Sequence, residues 1–180
     1  MRQVIAAFFF FAVSTCVANE TNRQVYEDYC LTVGGQVEEM PAQLQTFSGY
    51  VTGNSQPFCT FRINNGFIAV GLESFSSVKP SIAATFIKKF PPIPIDSPLL
   101  EGQYSNPSIN FCKNIGGSSI LFSAGSGGFT NEIGQTDICV FGDGSMVSGW
   151  SLIYIANGRT GYEAVKEKVN AEPLSIKIPH

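Results

Sequence analysis

The apolar positions of this chain fall into two runs of the same shape. After the polar stretch Asn19-Glu20-Thr21-Asn22, in which Asn22 is a candidate N-cap, Val25, Tyr26, Tyr29, Cys30 and Val33 recur at helical spacing. Gly34 then supplies a left-handed stop. A second helix is signalled by Asn106 as N-cap and Pro107 at the first helical position. Ile109, Phe111, Cys112 and Ile115 form its apolar side, and Gly116 ends it. Strands are predicted after each Gly-Gly pair, at Gln36 to Met40 and Ser118 to Ala124. Each is followed by a polar excursion that reads as a loop; the second contains Gly125, Gly127 and Gly128. The next strands, Phe58 to Ile63 and Ile138 to Phe141, lead through the hairpin signals Asn65-Gly66 and Asp143-Gly144 into Phe67 to Phe75 and Met146 to Ile155.

The two runs match at more than their outline. Tyr29-Cys30-Leu31-Thr32-Val33-Gly34-Gly35 aligns with Phe111-Cys112-Lys113-Asn114-Ile115-Gly116-Gly117, and Cys59-Thr60-Phe61 aligns with Cys139-Val140-Phe141. Gly71-Leu72 and Gly149-Trp150 follow at similar distances. Cysteine and glycine at matched offsets predict one unit written twice. The fold class is therefore α+β: two duplicated small units, each a helix packed on a three-stranded antiparallel meander. Laying the helix on one sheet face puts Cys30 over Cys59 and Cys112 over Cys139, one disulfide per unit. Each bridge closes a loop of about 30 residues, worth roughly 3 to 4 kcal/mol in the chain-entropy model.

The first unit is placed at 19–90 and the second at 106–170. Between them, Ser81 to Lys89 reads as a short helix, and the proline-rich segment 91–105 as a semi-rigid linker. Gly161 to Val169 reads as a further helix. In the tail, 171–180, Leu174, Ile176 and Ile178 alternate with Ser175 and Lys177, which predicts a strand with one apolar side. Because the first unit has no such appendage, these three residues are the candidates for docking on a partner by strand addition.

Residues 1–18 read as an export signal, with Arg2 as the early charge and an apolar run from Val4 to Val13 that is too short to be a lasting membrane anchor. Two cleavage points compete. Cys16-Val17-Ala18 suits an ordinary signal peptidase cutting before Asn19, whereas Val13-Ser14-Thr15-Cys16 has the form of a lipobox that would make Cys16 the acylated first residue. Either one leaves Cys30, Cys59, Cys112 and Cys139 in an oxidising compartment, periplasmic or at the outer membrane.

From Asn106-Pro107 through Cys112, Gly116-Gly117, Cys139-Val140-Phe141 and Asp143-Gly144-Ser145 to Trp150, the second unit resembles a small domain of unknown function, labelled a haemolysin domain, found in Gram-negative exported lipoproteins. The first unit resembles it weakly, with Leu72 where the Trp would stand. A further cysteine usual in that family is replaced here by Val147. The resemblance implies the fold and export, and brings no catalytic residue with it.

Composition narrows the function. A net charge of −3, with no basic cluster longer than Lys88-Lys89, excludes a nucleic-acid partner. Charged residues make up only 14% of the chain against about 25% in ordinary globular proteins, which suits a subunit covered by neighbours. His180 is the sole histidine, so no hydrolytic triad can be assembled, and neither a metal nor a cofactor is expected. Glu38, Glu39, Asp137 and Asp143 are the carboxylates available for acid–base work; adjacent acids on a strand face opposite ways, and Asp143 before Gly144 is what a turn requires. Trp150 is either a ligand platform or a core residue, and Leu72 at the equivalent place favours core.

The expected function is thus that of a non-catalytic exported envelope protein. It would act as a structural or protein-binding subunit of a multi-protein assembly such as an outer-membrane secretion-system core, touching the membrane only if lipidated or through partners. The alternatives are a membrane-active, haemolysin-like toxin, against which the lack of a basic amphipathic helix counts, and an enzyme using those four carboxylates.

Overall fold

The computed structural model describes residues 14–63, 66–125 and 134–179, with side chains from residue 22 onward. Residues 1–13 of the segment expected to be an export signal, the side chain of Cys16, Asn65 of the first hairpin turn, Gly127, Gly128 and His180 lie outside the described residues. The elements in chain order begin with α1 (Ser14–Thr32), β1 (Gln36–Thr46), β2 (Gly49–Ile63), β3 (Gly66–Gly71), α2 (Leu72–Ser76) and α3 (Ile82–Lys89). They continue with α4 (Pro107–Asn114), β4 (Ser118–Ser123), β5 (Gln135–Val140), β6 (Met146–Ser148) and α5 (Gly149–Ala156). Short 3-10 turns occupy Pro98–Leu100 and Glu163–Lys168.

Both glycine pairs do the same work. Gly34 and Gly116 sit at φ +86° and +88°, and the amides of Gly35 and Gly117 donate to the carbonyls of Cys30 (2.9 Å) and Cys112 (2.8 Å). This is a Schellman stop, in which the first glycine takes the left-handed conformation. The second glycine is needed for a different reason. A Cβ on Gly35 would lie 2.7 Å from the sulfurs of both Cys30 and Cys59, and one on Gly117 would run into those of Cys112 and Cys139. The bridges are Cys30–Cys59 and Cys112–Cys139, as the doubled pattern implies. In each, the helix cysteine supplies the carbonyl that ends the helix and the sulfur that covers the next turn.

The strands close into one barrel in the order β1-β2-β3-β6-β5-β4. Each predicted meander is present, β1-β2-β3 and β4-β5-β6, with matched registers: Val37 faces Cys59 as Ser119 faces Cys139, and Cys59 faces Val70 as Cys139 faces Val147. Two narrow seams join the meanders. One is the antiparallel pair Val70↔Val147, the other the pairs Ala42↔Phe122 and Gln43↔Leu121. The two segments therefore share a barrel instead of standing as separate domains either side of a spacer.

Alternation along the strands divides the apolar residues between two cores. Met40, Phe58, Phe67, Ala69, Phe122, Ala124 and Ile138 fill the barrel, with Phe58 and Phe122 edge to face at 5.2 Å. On the outside, Cys59, Phe61, Ile68, Val70, Cys139 and Val147 meet Phe75 of α2, Phe86 of α3, Phe111 of α4 and Leu152 and Ile155 of α5. Burial of these faces against helices supplies the main favourable term, at roughly 25 cal/mol per Å² of apolar surface.

Several sequence expectations are corrected. The strand expected from Phe67 to Phe75 stops at Gly71, and that from Met146 to Ile155 stops at Ser148; α2 and α5 follow. Ser148 caps α5 by accepting from the Ser151 amide, and a run that is apolar on nearly every side gives a helix no periodicity in its sequence to display. Upstream, α1 does not start at Asn22 but runs through it, since residues 14–21 contain neither proline nor glycine to break it. The excursion after Met40 is not a loop: β1 and β2 continue as a paired arm to the Thr46↔Gly49 turn. The linker is no free spacer either. Asn110 and Asn114 of α4 donate to the carbonyls of Pro98, Leu99, Leu100, Glu101 and Tyr104, while the Asn157 side chain accepts from the Ile93 amide at 2.7 Å. Lastly, the tail is not a strand. It lies along α3, where the Leu174 amide donates to Thr85 Oγ1 at 2.9 Å and Lys89 Nζ donates to the Leu174 carbonyl at 3.3 Å.

Candidate functional site

The four carboxylates do not gather at one place. Glu38 lies at one mouth of the barrel, where Thr60 Oγ1 donates to it at 3.0 Å and Arg62 approaches to 3.8 Å. Glu39, on the opposite face of β1, pairs with Arg23 of α1, which also holds Glu27. Asp137 and Asp143 belong to two further sites.

Asp137 points out of the barrel beneath α4 and α5. Ser108 Oγ donates to its Oδ2 at 2.5 Å, and the Ser108 amide donates to Asn106 Oδ1, the cap of α4, at 3.1 Å. Burial pushes the Asp137 carboxyl up to about 6, and the Ser108 bond offsets part of that rise. Gly149 makes this approach possible, since a Cβ there would stand 2.8 Å from Asp137 Oδ2 and 3.0 Å from the Ser108 carbonyl. Beside it, Phe67, Asn106, Leu121, Gln135, Ser148 and Trp150 help line a cavity of about 140 Å³, room for a few waters. Trp150 is half-buried: it packs on the outer core, and its ring stacks on Tyr154 at 5.4 Å.

Asp143 serves the second site as a clamp. Its Oδ2 accepts from the Ile82 amide at 2.8 Å, and its Oδ1 accepts from the amide and hydroxyl of Ser145 at 3.0 and 2.6 Å. Ser145 Oγ in turn accepts from the Ala83 amide at 3.0 Å. Burial acts to raise the Asp143 carboxyl, but the bonds from Ser145 and Ile82 prevail and hold it below the ordinary carboxylate range. The Asp-Gly-Ser turn thereby satisfies free amides at the start of α3, whose own cap is Ser81. Next to this clamp, a cleft of about 280 Å³ runs past Gln56, Glu73, Ser74 and Lys79.

A third feature lies on the arm formed by the distal halves of β1 and β2. Leu44, Phe47, Tyr50 and Val51 are all at least half exposed there, Phe47 fully. Leu44 faces Val51 on one side of the arm, and Tyr50 faces Gln45 on the other. Between Glu39 and Arg62 the sequence has no charged residue. The arm flares from the seam with β4, and the gap between Gln43–Gln45 and Ser118–Leu121, floored by Ile109 and flanked by Tyr104 and Lys113, forms a groove of about 390 Å³. The alternating positions of the arm could have been read as strand, but with polar residues on both faces they look like loop. The tail candidates are placed otherwise: Ile178 packs against the outer core, Leu174 is partly covered, and Ile176 is the exposed member at 41%.

Among the described residues, no cluster of three or more His, Cys, Asp or Glu could hold a metal ion, and no helix is long and apolar enough to cross a membrane. A family model described as a domain of unknown function (DUF333) matches residues 103–154. That segment runs from the last linker residues to α5 and contains the Ser108–Asp137 pair, the second disulfide, the Asp143 clamp and Trp150. No curated protein and no solved structure matches the chain.

Proposed function

We propose that this chain is a non-catalytic, exported envelope protein that works as a protein-binding subunit, with the β1–β2 arm as its contact surface. The observation that carries the reading is the concentration of Leu44, Phe47, Tyr50 and Val51 on a segment without charge. Exposed apolar residues scattered singly need no explanation, but a cluster on a projecting element is the form that contact surfaces take. The polar groups that could suggest chemistry have structural employment: Ser108, Asn106 and Asp137 seat α4, and Asp143 with Ser145 seats α3. The filled barrel interior fits a scaffold in the same way. The export signal at 1–18 and the two bridges support an oxidising compartment, periplasmic or at the outer membrane.

We also infer that the barrel arose by duplication of one helix-and-meander unit. Support comes from the paired Schellman stops and disulfides, and from the seam at which Val70 meets Val147, each the strand partner of its own unit's cysteine.

The test is fractionation of cells producing the full chain beside a variant in which residues 44–51 are replaced by a two-residue turn, which removes Leu44, Phe47, Tyr50 and Val51 and keeps the Gln43↔Leu121 seam. The full chain is expected in the envelope, without residues 1–18 or from Cys16 if lipidated, migrating as part of a larger species; the shortened chain is expected to keep both disulfides and migrate alone. A full chain retained in the cytosol, or a shortened chain in the same large species, would refute the reading.

A further inference from the structure

The arm has an open edge as well as exposed side chains. On one side β2 pairs with β1 from Gly49 to Thr60, but on the other it pairs with β3 only from Phe58 to Ile63. From Gly49 to Pro57 the outer edge of β2 therefore has no partner strand among the described residues, and most of these residues are exposed. Proteins that stay monomeric usually protect such an edge with lysine, inward charge or proline. Here Tyr50-Val51-Thr52-Gly53-Asn54-Ser55-Gln56 offers none of these, and Pro57 stands at the far end where β3 takes over.

We propose that this edge pairs antiparallel with the same edge of a second copy of the chain, joining two arms into a four-stranded sheet. The inference rests on the reading of the arm as the contact surface and names its partner. A strand edge laid antiparallel on itself about a two-fold is self-complementary in its hydrogen bonds, so the same patch serves both copies. Electrostatics points the same way. Each copy carries −3, so most approaches bring like charges together, whereas the stretch between Glu39 and Arg62 carries none. A basic or acidic partner would find nothing here to recognise. In the paired sheet Val51 and Tyr50, now at the edge, become central, and Leu44 stands beside Val51 on one face. Each thus loses exposed surface that the monomer leaves in water.

Sedimentation velocity of the full secreted chain, from micromolar to hundreds of micromolar, tests this together with the double variant Thr52→Lys/Asn54→Lys. Wild type should dimerise with concentration. The variant should weaken dimerisation about a hundredfold, because four lysines meet across the two-fold. A lysine at Gln45, on the β1 side of the arm and clear of the seam pairs, should leave the dimer largely intact. A wild type that stays monomeric throughout, or that binds neutral phosphatidylcholine vesicles through the arm without dimerising, overturns the proposal. A dimer indifferent to the edge lysines overturns it equally. A wild type that stays monomeric while its larger envelope species still requires the arm overturns this proposal alone, whereas an envelope species that forms without the arm overturns the earlier reading, so the two fail separately.

Discussion

Asp137 and the two second-position glycines are the residues whose substitution should report most directly on the architecture. Asp137 is held neutral more readily in the folded chain than in the unfolded one, because burial raises it to about 6. The native state thus binds more protons than the unfolded state between about pH 4 and 6, and stability falls as pH rises across that window. Asp137→Asn keeps an acceptor for Ser108 and has no charge to bury. The melting temperature of the variant relative to wild type should rise from pH 4 to pH 7, by an amount corresponding to at most about 3 kcal/mol. A flat difference would mean that Asp137 is not buried under α4. Asp143 has the opposite sign, since its depressed value makes its contribution present above the ordinary carboxylate range and lost as pH falls through its folded value. For the glycines, Gly117→Ala forces a Cβ into the second bridge and should destabilise by about 2 to 4 kcal/mol in thermal melts. Gly125→Ala, where no described atom lies within 4 Å of the added Cβ, should change little.

At the scale of elements, the two bridges and the α3 clamp make separable demands. Removing either disulfide as a Cys→Ser pair should cost roughly 3 to 4 kcal/mol, since the loops they close span similar separations of 29 and 27 residues. Urea titrations of the two variants should therefore give similar losses. Asp143→Ala should cost about 1 to 3 kcal/mol through the Ile82 and Ser145 amides, and hydrogen exchange should rise first at the start of α3. What the sequence could disclose at this scale followed the strength of the local signal. The Gly-Gly stops, the Asn106-Pro107 start and the cysteine pairing were legible because each depends on residues close in the chain or repeated in it. The α2 and α5 helices were hidden, because Leu72, Leu152 and Ile155 are buried from all sides and show neither a period of 2 nor one of 3.6. The arm was hidden for the converse reason, since polar residues and glycine stand among Leu44, Tyr50 and Val51 on both of its faces and break the alternation that marks a strand. The tail misled by its alternation, since packing along α3, not pairing, is what covers Ile178.

For the whole molecule, closure of six strands into one barrel was not readable from either half, because the seams rest on a few pairs contributed by distant segments, Val70 with Val147 and Ala42 with Phe122. Closure pairs most strand edges among the described residues, and the stretch of β2 from Gly49 to Pro57 is a long uncharged one that it leaves open. The most direct measurement is hydrogen exchange of the full chain, followed by mass spectrometry, at a dilute and at an associating concentration. Amides within Tyr50–Gln56 should slow on association while those of β5 and α5 are unchanged. Association with no slowing in the arm, or with protection centred on the tail at 174–178, would contradict pairing through the β2 edge.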